Sequence, residues 1–164
     1  TAELVELSRL SGEQPFPERA EFSLSDAAWE IAEAFGFSAK AAGKRFTQEI
    51  EDDVTVFGDM SAFQKLTSIL LDNALKYSDE NGEIRLTVKH RGRRAEITVF
   101  NTCAHVDRNE IPHFFERFYR SDKSRSSPGN GLGLAAAREI AEAHGGRITA
   151  KTSNERDITF RVSV

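Results

Sequence analysis

Between Glu83 and Asn101 the chain alternates apolar and polar residues twice over, with Ile84, Leu86 and Val88 in the first run and Ala95, Ile97 and Val99 in the second. Successive side chains of a strand point to opposite faces, so each run specifies a strand with one apolar and one wettable face. Arg91 and Gly92 turn the chain between residues 83–90 and 93–101, and the two runs pair as a hairpin. The apolar face of that hairpin has to be covered by other elements, and helical patterns supply the cover. Ser23 and Asp26 form a capping box ahead of a helix over residues 27–42, with Trp29, Ile31 and Phe35 among its apolar residues. Asp59 caps a second helix reaching Tyr77, and a third over residues 132–144 is stopped by Gly145 and Gly146. Trp29 and the phenylalanines are expected in the core.

Strands are expected at residues 21–24, 45–50 and 54–57, with a closing hairpin of 147–151 and 158–164. Residues 108–118 read as helical turns, and residues 120–130, polar and holding Ser, Pro and Gly, as a mobile loop. The expected fold class is α+β: a two-layer sandwich of one mixed, mostly antiparallel sheet with about three helices on one face. The chain has 164 residues, which suits one such domain. The expected organisation is 1–11 as the tail of a preceding helix (Leu4, Val5, Leu7 and Leu10 near helical spacing), 12–19 as a linker and 20–164 as the domain. A start at Thr1 without Met suggests a piece of a longer protein, and any membrane anchor would then lie upstream. No apolar run approaches the ~20 residues that span a bilayer. A net charge of -4 argues against a nucleic-acid partner, and the single cysteine fits a reducing, cytosolic setting.

Three constellations carry chemistry. On a helix, residues three and four apart share a face, so Asn73, Lys76 and Tyr77 line up together. An amide oxygen suits Mg²⁺, a lysine one turn on suits a phosphate, and an aromatic ring can flank a base. An ordinary polar helix face explains the octet 70–77 equally well. The second is Gly129-Asn130-Gly131-Leu132-Gly133-Leu134, where glycines let backbone approach a ligand and a helix N-terminus offers N–H groups to an anion. It is neither a Walker A loop nor a dinucleotide fingerprint. The third is the cationic loop of Arg117, Arg120, Lys123 and Arg125, which in an acidic protein points to phosphate. Cys103 reads as a small buried loop residue, and His105 as an exposed or loop-packing one.

Together these motifs resemble the catalytic and ATP-binding domain of bacterial sensor histidine kinases, of the Bergerat ATP-binding fold that gyrase-, heat-shock- and MutL-like proteins share. Residues 71–78 resemble the N box, Phe115-Glu116-Arg117-Phe118-Tyr119-Arg120 the F box and 129–134 the second glycine box, continued to His144-Gly145-Gly146-Arg147-Ile148. The resemblance implies Asn73 as the magnesium ligand, and Asn73, Lys76 and Arg120 as the catalytic set. It further implies nucleotide contacts from Asn73, Lys76, Tyr77, Asn101, Val106, Phe115, Arg120, Lys123, Gly129, Gly131, Leu132, Gly133, Leu134 and Thr159, the last beside adenine. The implied cofactors are ATP and Mg²⁺. The implied partners are ATP or ADP, the dimerisation and histidine-phosphotransfer domain of the same protein, and a response regulator. The full-length protein would be a membrane-anchored homodimer with this domain in the cytoplasm.

The sequence departs from the family at the first glycine box, where Asp-x-Gly-x-Gly is replaced by Asn101-Thr102-Cys103-Ala104-His105. An asparagine both accepts and donates, which predicts weak discrimination of ATP from GTP. Ile69 stands one turn before Asn73, where ATPase branches of the family place a glutamate base. Asp72 points roughly 100° away on the helix. A histidine nucleophile needs no base there, since neutral imidazole already carries a lone pair. The expected activity is therefore transfer of the ATP γ-phosphoryl to a histidine on an upstream helical domain, with no autophosphorylation of this fragment alone. The alternatives are a regulatory nucleotide-binding module with a degenerate first glycine box, or an interaction domain with a dead pocket.

Overall fold

A computed structural model describes residues 18–120 and 131–164; the expected helix tail at 1–11 lies outside them. Strand β1 (Ala20–Ser23) leads into helix α1 (Leu24–Ala41), β2 (Arg45–Ile50), β3 (Thr55–Gly58) and α2 (Met60–Tyr77). The hairpin β4 (Glu83–Arg91) and β5 (Arg94–Thr102) follows, then α3 (Gly133–Ala143), β6 (Arg147–Lys151) and β7 (Asp157–Ser163). β1 and β3 pair as a small antiparallel sheet. The main sheet has the order β2-β4-β5-β7-β6, antiparallel except for the parallel pair β2 and β4. A parallel neighbour requires a crossover, and β3 with α2 provides it.

The caps form where the side chains allow. Ser23 Oγ accepts from the Asp26 amide at 3.1 Å and Asp59 Oδ1 from the Ala62 amide at 3.1 Å, each satisfying a donor the first helical turn would leave open. Gly43, at φ +73°, ends α1 in a conformation a side chain would strain.

The alternation of the central strands places their apolar residues in rows across the sheet. Leu86, Val99 and Phe160 form one row, Val88, Ile97 and Val162 the next, and Ile84, Asn101 and Ile158 the third. Against these rows pack Leu24, Ala28, Ala32 and Phe35 of α1, Leu66, Leu70, Leu71 and Ala74 of α2, and Ala137, Ile140 and Ala141 of α3. Burying each leucine contributes about 1.5–3 kcal/mol. Asn101 is the one amide in this lattice, and it is fully buried.

One expectation changes. Trp29 is 38 % exposed, and Phe37, Phe57 and Phe118 are exposed further still, at 80 %, 69 % and 60 %. The buried stripe of α1 runs through Leu24, Ala28, Ala32, Phe35 and Ala39, so Trp29 lies one residue off it and Phe37 about 200° from Phe35. The helical turns expected over residues 108–118 are represented by the 3-10 turn Ile111–His113.

Candidate nucleotide site

Helix α2 presents the first constellation. Leu70, Leu71 and Ala74 are buried under it, while Asn73 and Tyr77 are half-buried at the flank of that stripe and Lys76 is exposed. The Lys76 ammonium sits 5.3 Å from the centre of the Tyr77 ring. The helix therefore holds amide, ammonium and ring at one end of a rigid element, as its spacing predicts.

The glycine turn comes to this helix from the other side of the sequence. A Cβ on Gly133 would lie 3.6 Å from Ile69 Cγ2, so the first turn of α3 packs against α2 one helical turn before Asn73. Leu132, the N-cap of α3, is buried and gives no side-chain cap. Among the described residues the opening amides of α3 thus have no cap of the kind Ser or Asp would supply, an arrangement that suits an anion. Gly131 has φ +72°, and a Cβ there would stand 2.7 Å from both Phe118 C and Tyr119 O. The Phe118 amide donates to Gly131 O at 3.0 Å. These contacts bring the end of the F-box segment, with Arg120 next in the chain, onto the glycine turn.

On the sheet side, Asn101 donates through Nδ2 to Thr102 O at 2.9 Å. Its Oδ1 is buried and has no hydrogen-bond partner among the described residues. A buried acceptor left alone costs about 1–3 kcal/mol, so a donor that reached it would be held strongly. Phe115 lies edge-on to Phe160 with ring centres 6.0 Å apart, and half-buried Val106 packs against the same core.

Thr159 does not join them. Its Cα pairs with Phe100, whereas Asn101 pairs with Ile158. Paired residues share a face and neighbours in a strand do not, so Thr159 stands on the side of the sheet away from Asn101. Ile158 takes the place opposite the amide, and counting back by one from buried Phe160 would have shown it. Arg117 is also drawn off, 3.8 Å from Glu139 of α3. Lys123 and Gly129, and with them the loop over 121–130, lie outside the described residues. Cys103 is buried, and His105 is exposed with Nδ1 3.9 Å from Glu155.

Sequence reasoning missed a set of residues behind the site. Lys44 Nζ donates to the carbonyls of Ser78 at 3.0 Å and Asp79 at 2.6 Å, just past the end of α2. Thr102 Oγ1 donates to Asp79 Oδ1 at 2.7 Å and accepts from the Glu83 amide at 2.9 Å. No local motif announces these partners, which are 19 to 35 residues apart in the chain.

A helix bearing an amide and a lysine, a glycine turn packed against it and an orphaned acceptor in the sheet define a nucleotide-binding domain. Residues 58–164 match the model of the histidine kinase-, DNA gyrase B- and HSP90-like ATPase family, and the chain belongs to that family. Its relatives are sensor histidine kinases. It is 35 % identical over 133 residues to the signal transduction histidine-protein kinase BaeS of Escherichia coli K12, covering 80 % of this chain and 28 % of that protein. It is 36 % identical over 137 residues to the sensor protein VanS of Enterococcus faecium, covering 82 % of this chain and 35 % of that protein. The chain thus spans about a third of the length of these relatives. The catalytic domain of the histidine kinase ThkA has the same fold, with a TM-score of 0.79 at 23 % identity, covering 90 % of this chain and 95 % of that one. Among the described residues no helix is long and apolar enough to cross a membrane.

Proposed function

We propose that this chain is the ATP-binding catalytic domain of a membrane-anchored sensor histidine kinase, and that it transfers the ATP γ-phosphoryl to a histidine on the dimerisation domain of the same protein. A response regulator then takes the phosphoryl from that histidine. The observation that carries the reading is the packing of Gly133 against Ile69, which sets the opening amides of α3 one helical turn from Asn73.

The residues fit a magnesium nucleotide. Asn73 would hold the magnesium ion through its neutral amide oxygen, and the ion would supply positive charge against the phosphates. Lys76, Arg120 and Lys123 would meet phosphates, and the backbone of Gly129, Gly131, Leu132, Gly133 and Leu134 would close on them. Tyr77 would flank base or sugar, Val106 and Phe115 would line the pocket, and the buried Oδ1 of Asn101 would take an N–H of the base. Catalysis is then mainly positioning and charge neutralisation. Ile69 cannot accept a proton, so water lacks a base at that position of the helix, while an imidazole nitrogen attacks with its own lone pair.

The test supplies this domain together with its upstream dimerisation domain and γ-labelled ATP. The expected product is acid-labile phosphate on that domain's histidine. His90, His105, His113 and His144 of this chain stay unlabelled. Nucleotide binding without phosphohistidine would select the regulatory-module reading, and stoichiometric label on any of the four would overturn the assignment.

A further inference from the structure

The side chain of Asn101 is not free to present either of its ends. Its Nδ2 lies 2.9 Å from Thr102 O. An amide oxygen in that place would set two acceptors against each other, so the nitrogen takes that side and Oδ1 is turned to the other. What fixes the orientation is therefore whatever fixes the Thr102 carbonyl.

That carbonyl belongs to a small polar joint. It also accepts from the Asp79 amide at 3.3 Å. The hydroxyl of the same threonine donates to the Asp79 carboxylate at 2.7 Å and accepts from the Glu83 amide at 2.9 Å, so Thr102 is held to the turn after α2 through backbone and side chain alike. The Asp79 carbonyl accepts from the Gly82 amide at 2.9 Å and from Lys44 Nζ at 2.6 Å. Lys44 is delivered from the far side, its own amide bonded to Ala39 O at 2.9 Å at the end of α1. Its ammonium also takes the Ser78 carbonyl at 3.0 Å, a favourable place for a cation at the C-terminus of a helix. The joint leaves no room to relax at Gly82, where a Cβ would stand 2.5 Å from Asp79 Oδ1.

We infer that Thr102 and Lys44 are positioning residues for base selection. Through Asp79 they hold the Asn101 amide with Oδ1 as the group offered to a base, so that the site selects a 6-aminopurine over a 6-oxopurine. The inference rests on the reading of Asn101 as the base contact and reverses the weak discrimination its residue type alone predicts. Without the threonine hydroxyl, the peptide that carries the Thr102 carbonyl keeps the bond from the Cys103 amide to Arg156 O at 2.9 Å, but on the side of the turn after α2 it is left with the 3.3 Å Asp79 bond alone. The amide then turns over and offers its nitrogen, which suits a guanine carbonyl.

The experiment measures Mg-ADP and Mg-GDP affinity by calorimetry for the full chain and for Thr102→Val, Thr102→Ser, Lys44→Met and Asn101→Leu, each checked for folding by circular dichroism and melting. The wild type should favour ADP. Thr102→Val should lower the ADP-to-GDP ratio about ten-fold, the effect of one hydrogen bond gained on one base and lost on the other. Thr102→Ser, which keeps the hydroxyl, should restore the ratio. Lys44→Met, which leaves the sheet intact, should lower it in the same direction and tests the inference even if Thr102→Val does not fold. An unchanged ratio in the folded Thr102→Val and Lys44→Met variants would overturn it, as would an equal loss for both nucleotides, the mark of a merely structural role. An Asn101→Leu variant with the wild-type ratio would instead refute the base-contact reading beneath it.

Discussion

Gly131→Ala tests whether the glycine turn is shaped by close approach or merely by flexibility. Gly131 and Gly43 adopt the same left-handed backbone, at φ +72° and +73°. An alanine costs about 1–2 kcal/mol in that conformation at either position. The surroundings differ. A Cβ at Gly43 meets nothing within 4 Å, whereas one at Gly131 meets Phe118 C and Tyr119 O at 2.7 Å and Phe118 Cα at 2.9 Å. These are backbone atoms and cannot swing aside as a side chain end would. Phe118 is itself held at φ +65° by the bond from its amide to Gly131 O. Separating the two segments breaks that bond, a further cost of about 1 kcal/mol. Gly131→Ala should therefore lose about 1 kcal/mol more than Gly43→Ala, a difference of about 2–4 °C in melting temperature for a domain of this size. Thermal and urea unfolding measure the stability, and calorimetry with Mg-ADP measures the site. Gly43→Ala should bind nucleotide as the wild type does, while Gly131→Ala, with the F-box end pushed from the turn, should bind about ten-fold more weakly. Equal stability losses with equal affinities in the two variants would refute the argument that the F-box segment and the glycine turn must touch.

Asn73→Ala should remove the magnesium dependence of nucleotide binding while shifting the melting temperature little, because Asn73 is only half-buried and lies on the polar side of α2. Calorimetry with and without magnesium decides, and an unaltered magnesium effect would take Asn73 out of the site. Stability should also fall on acidification through His144. Its Nδ1 lies 2.8 Å from Ile140 O, and its Nε2 accepts from the Asp59 amide at 3.1 Å, an arrangement only the neutral ring can make. Burial, the largest influence, pushes its pKa below the usual histidine value; nearby Arg19 acts the same way, and the Ile140 carbonyl and Asp59 oppose. A lowered pKa means the unfolded chain binds the proton more readily, so this stabilisation is complete above the ordinary histidine value of 6.5 and is lost as pH falls below it. Urea unfolding at about pH 7.5 and about pH 5.5 should show a smaller loss in His144→Gln than in the wild type, and equal losses would remove His144 as the cause.

Local chemistry and periodicity determined much of this protein in advance. The hairpin of β4 and β5, the caps at Ser23 and Asp59 and the shared face of Asn73, Lys76 and Tyr77 follow from neighbours in the chain, because strand alternation, capping and helical spacing act within a few residues. Other features needed the folded chain. Trp29 and Phe37 are apolar but exposed, because a helix has room for only one buried stripe. Thr159 and Ile158 differ by one position in a strand, and only the register with β5 decides which of them shares a face with Asn101. The orientation of the Asn101 amide depends on Lys44, Asp79 and Thr102, which come together only when α1, α2 and β5 pack. A residue's type states which hydrogen bonds it can make, and the tertiary structure decides which are already taken.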